Sequence, residues 1–444
     1  MSLQEEYKRK LVSPEQAVQI VKSGDWVDYG AFTGQAVVLD RALAARKDEL
    51  TDVKIRACTR AMPLEIYKVD PHSEHFTYNN WHFSGLDRKI GDQGACWYIP
   101  IFYHEIPRYY REILDVDVLM IPVAPMDEHG FFNFGPQVSH AMSMCDKAKK
   151  IILEVNPNIP KCLGGREEAI HISRVDYLVE ADWLLPQIPP APASGQDEAI
   201  ASLIMNELKD GCCLQLGIGG MPNAVGMMIA RSGLKDLGIH TEMFCDSMVE
   251  MVETGVVNGS KKQLDPGKIV YTFAMGTNKT YNFLNNNPMC AAYPVNYTND
   301  PFIIGQNDNM VGINNCVEID LFGQICSESS GIRHISGTGG QMCFSIGAFR
   351  SSGGKSFMCM SSTYKKGEEV KSRIKPILTP GAIVTTPRTM VSYIVTEHGM
   401  HNMKGMSTWQ RAEAIISLAD PSFREDLIKS AQEMGIWRRS NKRT

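Results

Sequence analysis

Apolar positions along this chain follow two rhythms: short runs rich in β-branched residues, and longer stretches with apolar residues three or four apart. Ser13-Pro14-Glu15-Gln16 has the form of a capping box with proline at the first helical position, ahead of a helix over Ala17–Val21. A strand follows at Trp26-Val27-Asp28-Tyr29 and ends at Gly30. The spacing of Leu39, Leu43 and Leu50 predicts one long amphipathic helix, and Val53-Lys54-Ile55-Arg56 a second strand. Helix, strand, helix, strand is the order of an α/β domain.

The order returns further on. A helix is predicted over Ala199–Leu208, a strand over Cys212–Leu216, a helix around Val225–Ala230 and a strand over Ile239–Phe244. A second echo pairs Leu114–Leu119 and its Gly130 turn with Asn315–Asp320 and its Gly323 turn. Between the copies, Pro186, Pro189, Pro190 and Pro192 fix an extended segment that can join neither a helix nor a central strand. The chain is therefore expected to form two open-sheet α/β domains related by internal duplication, residues 1–185 and 197–444, joined by a proline-rich linker at 186–196. Ligands of open α/β sheets bind at the carboxyl ends of the strands, which makes the cleft between the domains the expected site.

Composition narrows the function. With 43% apolar and 21% charged residues over 444 positions, the chain has the make-up of a soluble globular protein with room for two cores. A formal charge of −5 and the lack of a basic stripe exclude nucleic acid as an expected partner; the tail residues Arg438, Arg439, Lys442 and Arg443 read as a solvated end. The first residues carry no apolar core and no apolar run reaches bilayer length, so neither a secretion signal nor a membrane span is expected. Twelve scattered cysteines without a Cys-x-x-Cys read as reduced thiols of a cytoplasmic protein, with no zinc ribbon. Self-association is left open.

Three segments carry chemistry. Gly217-Ile218-Gly219-Gly220-Met221 joins a strand to a helix, where unobstructed N–H groups and the helix N-terminus suit a phosphate or a developing oxyanion. A dinucleotide enzyme would show Gly-x-Gly-x-x-Gly instead, and a plain structural turn fits the same residues. Glu242 interrupts the apolar strand Gly238–Phe244 near its carboxyl end, between His240 and Phe244 in the alternation, where burial without a role would be costly. The first half has no carboxylate in the matching strand Val53–Cys58, which predicts one reactive site per chain. Ser336-Gly337-Thr338-Gly339-Gly340-Gln341 is glycine-dense yet continues into Met342, Phe344 and Ile346, the mark of an ordered segment that approaches a ligand. His82, and Glu397-His398 with His401, lack metal-ligand spacing; no metal is expected. The aromatics from Trp97 to Tyr103 read as core first and as a pocket lining second.

Together these segments resemble the acetyl-CoA hydrolase/transferase branch of the class I CoA transferases, especially the butyryl-CoA:acetate and 4-hydroxybutyrate enzymes. The resemblance rests on Trp81-His82-Phe83-Ser84-Gly85, Pro125–Gly135, Glu154-Val155-Asn156, Gly217–Met221, His240-Thr241-Glu242-Met243, Ser336–Gln341 and Thr396-Glu397-His398-Gly399, in that order over nearly the whole chain. It implies the CoA transferase fold and a catalytic glutamate at Glu242. It also implies CoA contacts from the Gly217, Ile218, Gly219, Gly220 and Met221 turn, from Val317 and from Gly339, with Gly337 and Gly340 beside it. On the chemistry of the glycine turn, the N–H groups of Gly219 and Gly220 are the candidate oxyanion donors. The substrates would be acyl-CoA and short-chain carboxylates, butyrate and acetate first and 4-hydroxybutyrate second. CoA would be a carrier held transiently as a thioester on Glu242, with no cofactor. Two departures stand out: Cys343, where relatives carry an acid, and His401-Asn402-Met403, where they are smaller or apolar. Rival readings are a CoA-thioester hydrolase, a dinucleotide oxidoreductase and a non-catalytic acyl-CoA sensor.

Overall fold

The computed structural model describes residues 2–217 and 219–438. Two sheets dominate. The first has seven parallel strands in the order Cys96–Tyr98, Phe76–Asn80, Val53–Cys58, Trp26–Ala31, Val118–Val123, Lys150–Val155 and Tyr177–Glu180. The second has six, in the order Gly238–Ile239, Cys213–Leu216, Met310–Asn315, Lys355–Cys359, Tyr393–Thr396 and Gly399–Asn402, parallel except for the last pair. In each half the first strand lies between the second strand and the strand that returns later, so the two sheets repeat one topology.

The two halves also share a turn. Asp127 Oδ1 accepts from the N–H of His129 (3.0 Å) and Phe131 (2.8 Å), and Asp320 Oδ1 from Phe322 (3.0 Å) and Gln324 (2.9 Å). In both, a glycine closes the turn in the left-handed region, Gly130 at φ 85° and Gly323 at φ 84°. The echo of glycine turns is thus real, but its strand register differs from the expectation. Val118–Val123 matches Met310–Asn315 in sheet position, while Glu318–Asp320 pairs into a small side sheet. Leu114–Asp117 precede their strand, although Val116 is already buried in the core.

Other elements differ in extent. Ser13 caps as expected, its hydroxyl accepting from Gln16 N–H, but only Pro14–Ala17 is α-helical before a short 3-10 turn. The long helix ends at Ala44, and Leu50 reaches the core from extended backbone after the 3-10 turn Lys47–Glu49. Ser194 forms a capping box with Asp197, so the second half's first helix starts at Gly195, inside the expected linker. The expected strand Ile239–Phe244 is broken. Gly238–Ile239 belongs to the large sheet, His240 bridges to Val270, and Met243–Phe244 pairs with Phe273–Ala274 instead.

That break places the site. Where the chain leaves the large sheet it crosses to the first half, and Met243, Phe273 and Val295 join the core cluster that holds Phe32, Trp81 and Leu119. Backbone hydrogen bonds sew the crossing: Ser139 N–H to the Thr272 carbonyl, Val295 N–H to Ser139, and Phe83 N–H to Ser336. Glu242 lies at the bend, its carbonyl accepting from Thr272 and Phe273 N–H.

Candidate active site

Glu242 is held from both sides. Asn299 Nδ2 donates to its Oε2 at 2.6 Å, and the orientation of that amide is fixed because Asn299 Oδ1 accepts from the Thr298 hydroxyl at 2.9 Å. Gly340 supplies a backbone N–H at the N-terminus of the helix Gln341–Arg350. A Cβ on Gly340 would fall 1.9 Å from Glu242 Oε2, so glycine here is the condition for the carboxylate to reach the helix end. The residue keeps some surface on the cleft, but its carboxyl group is packed in protein. Burial pushes it up to about 7, against the lowering effect of the Asn299 and Gly340 hydrogen bonds.

Two spaces meet at this carboxyl. One is a polar cleft of about 210 Å³ whose lining includes Gly217, Glu242, Asn315, Val317, Gly337 and Gly340. Its side chains are tied to one another: Gln215 and Asn314 exchange amide hydrogen bonds at 3.2 and 3.1 Å, and Gln341 donates to the Asn315 carbonyl at 2.7 Å while accepting from Ser327. The other is a small apolar chamber on the side of the first half, walled by Phe32, Trp81, Ile101, Tyr103 and Phe273 among others. Phe32 and Phe273 stack across the junction of the halves with centroids 3.5 Å apart and planes at 5°. Of the aromatic stretch, Ile101 and Tyr103 are part of the core and also border this chamber.

Of the sequence-predicted residues, Gly217, Val317, Gly337, Gly339 and Gly340 come together around Glu242. Gly219, at φ 126°, lines a neighbouring apolar pocket beneath the proline-rich segment, and Gly220 faces that segment, its missing Cβ 3.2 Å from the Pro192 carbonyl. Met221 is 3% exposed and packs in the second core. Ile218 lies outside the described residues, as do Arg439, Lys442 and Arg443 of the tail. The donors beside the carboxylate are Gly340 and Asn299, while Gly219 and Gly220, the expected oxyanion donors, lie in the turn next to the proline-rich segment. The helix Gln341–Arg350 starts directly at the carboxylate, whereas the glycine turn points its helix toward the linker.

Sequence reasoning missed Asn299 and His82. Asn299 had no motif to mark it. His82 had one, Trp81-His82-Phe83-Ser84-Gly85, but its loop meets Glu242 only through the crossing of the halves. Cys343 is fully buried in the helix that starts at Gly340, its sulfur 3.6 Å from His104 Nδ1. His401 instead bonds Ser417 on the outer side of the second sheet at 2.9 Å and does not line the cleft. Glu397 accepts from Gln196 and Ser362, tying the second half's first helix to its sheet.

Models of the acetyl-CoA hydrolase/transferase N-terminal domain and C-terminal domain match residues 1–189 and 276–431. The chain is 53% identical to the butyryl-CoA:acetate CoA-transferase of Anaerostipes caccae over all of both chains. It is 42% identical to the 4-hydroxybutyrate coenzyme A transferase of Clostridium kluyveri, over 96% of this chain and 98% of that one. The crystal structure of RipA from Yersinia pestis superposes with a TM-score of 0.91 at 36% identity, covering 98% of this chain and 100% of the other.

Proposed function

The chain belongs to the acetyl-CoA hydrolase/transferase family and transfers CoA, and from that premise we propose that it moves CoA from butyryl-CoA to acetate through a thioester on Glu242. The observation that supports this reading is the position of one desolvated carboxylate between a polar cleft and an apolar chamber. A thioester has one arm of each kind. With CoA in the polar cleft and the acyl chain among Phe32, Ile101 and Phe273, the carbonyl carbon between them falls beside Glu242.

The ionised carboxylate attacks that carbon, the C–S bond breaks, and a mixed anhydride and CoA thiolate result. The thiolate attacks the glutamyl carbonyl and releases butyrate, leaving CoA bonded to Glu242. Acetate reverses both steps. Every step is substitution at a carbonyl, so the cycle asks for no redox cofactor or metal, and CoA is carrier rather than cofactor. Burial sharpens the nucleophile by removing its water, and the Gly340 N–H at the helix end can follow the charge as it moves onto an oxyanion. An apolar chamber also disfavours water as the final acceptor, which separates this reading from a hydrolase. Among the described residues no helix is long and apolar enough to cross a membrane. The free cysteines suit a reducing compartment such as the cytoplasm.

The test is mass spectrometry of the protein incubated with butyryl-CoA and no acceptor. A CoA adduct is expected on the Glu242 peptide, discharged by acetate and absent in Glu242→Ala. Transfer by folded Glu242→Ala at the wild-type rate would overturn the assignment.

A further inference from the structure

The polar cleft and the apolar chamber share three lining residues: Glu242, Gly339 and His82. Gly339 sits in the left-handed region at φ 53°, and a Cβ there would lie 3.6 Å from Nε2 of His82 and 3.9 Å from Oε1 of Glu242. The glycine therefore keeps open a gap bordered on one side by the nucleophilic oxygen and on the other by the imidazole. That gap is where a reacting carboxyl group must stand.

The chamber offers that group little else. Its other side-chain donors are committed: Thr59 Oγ1 to the His82 carbonyl (3.1 Å), Trp81 Nε1 to Tyr110 (3.2 Å), and the Tyr103 hydroxyl paired with Ser139 (2.7 Å). Cys58 is a buried thiol 3.7 Å from Thr59 Oγ1; burial pushes its pKa up and keeps it protonated, but an S–H is a weak donor. Among the described residues no lysine or arginine lines the chamber. His82 is different. Its Nδ1 is buried without a hydrogen-bond partner, and its Nε2 has only Ser336 Oγ at 3.4 Å, a long contact. A buried N–H without an acceptor is rarer than a lone pair without a donor, so the ring proton belongs on Nε2, facing the gap. The ring is held in place by its own backbone, with His82 N–H donating to Asn80 Oδ1 (2.8 Å) and its carbonyl accepting from Thr59 N–H (2.9 Å).

We propose that His82 is the residue that binds the free carboxylate substrate, its Nε2–H donating to one carboxylate oxygen while the other oxygen faces the carbon attached to Glu242. The inference rests on the glutamyl-thioester reading. Neutrality is what makes the residue fit. Burial, with His334 and Arg88 nearby, pushes the ring down to about 4, so it carries one proton and no charge under working conditions. A cation at this place would pair with Glu242 and hold it in the ground state, whereas a neutral donor can anchor the acid and leave the nucleophile free. In the discharge half of the cycle, the anchored acetate oxygen attacks the glutamyl thioester, the C–S bond breaks, and CoA leaves as thiolate. The ring gives up no proton at any step.

The test compares His82→Phe, which keeps a ring and removes the donor, with His82→Asn, which keeps an N–H. Both should melt near the wild type, and the KM for butyryl-CoA should change less than that for acetate, since His82 borders both spaces but only the free acid presents a charged carboxylate to Nε2. The KM for acetate should rise roughly tenfold or more in His82→Phe, the worth of one hydrogen bond to a charged group, and recover in part in His82→Asn. If His82→Phe does not fold, His82→Leu carries the same arm. An unchanged acetate KM in the donor-free variant, or an equal rise in all variants for both substrates, would overturn the role. The adduct on wild-type Glu242 is measured alongside, so that absence of the adduct identifies failure of the thioester reading and a normal adduct with unchanged acetate KM identifies failure of the His82 role alone.

Discussion

Each half of the molecule holds a buried carboxylate against the start of a helix, and the two are wired differently. Glu154, fully buried at the end of strand Lys150–Val155, accepts from the N–H groups of Val37 (3.1 Å), Val38 (3.0 Å) and Leu39 (3.2 Å), and from the Trp183 indole (2.5 Å). Glu242 meets its helix with one backbone N–H and one amide, and an open gap on its other face. Both are pushed up by burial, Glu242 to about 7. The difference is the number of donors. A carboxylate whose lone pairs are filled by fixed N–H groups is a latch between helix and strand; one left half-filled in a dry site has lone pairs to spend on a carbon.

Removing the latch should have the larger effect on folding. Glu154→Ala would leave three helix-end N–H groups and an indole, most of them partly buried, without an acceptor, a loss of about 3–5 kcal/mol summed over the four donors. The denaturant midpoint should fall accordingly, while protein that remains folded should still form the adduct on Glu242. An unaltered midpoint would mean that Glu154 is no latch.

The same operation on Glu242 should have the opposite sign. Its folded value is about 7 against an ordinary 4.5, so the native state holds a proton that the unfolded chain has released between those two pH values. The group's favourable contribution is therefore complete below about pH 4.5 and is lost as pH rises through 7. Glu242→Gln keeps an acceptor for Asn299 and abolishes the ionisation, so it should be more stable than wild type at pH 8, by at most about 3 kcal/mol. Near pH 4.5 the difference should close. A variant less stable than wild type at pH 8 would show that the carboxylate is better solvated than its surroundings suggest.

How far the sequence reached follows the same division. Strand cores, caps and the glycine turns were legible because they depend on neighbours three or four residues away: Ser13 with Gln16, Gly130 with Asp127. Glu242 stood out because a carboxylate in an apolar strand is a local conflict. Its surroundings are not local. Asn299, His82 and Gly340 reach it from 57, 160 and 98 positions away by subtraction of residue numbers, and only the crossing of the chain at His240–Phe273 brings them together. The glycine-dense segment ending at Gly340 stood out as one that approaches a ligand, but that a helix begins there and faces Glu242 was not legible.

The smallest expected effect concerns Cys343, one turn into the helix that starts at the Glu242 carboxylate. A neutral thiol there leaves the ionisation of Glu242 governed by burial and its two donors. Wild-type kcat/KM should fall on the acid side with an apparent pKa near 7, because the attacking group must be ionised. Cys343→Asp is close in volume, and its negative charge, once ionised beside His104, would oppose a second negative charge on Glu242. The acid limb should then move upward by roughly one unit or less, about 1.4 kcal/mol, with the plateau rate at high pH little changed. A limb that stays in place would mean that His104 takes up the aspartate's charge before Glu242 feels it. A limb that moves down would contradict the electrostatics outright, since no added anion can favour ionisation of a neighbouring acid.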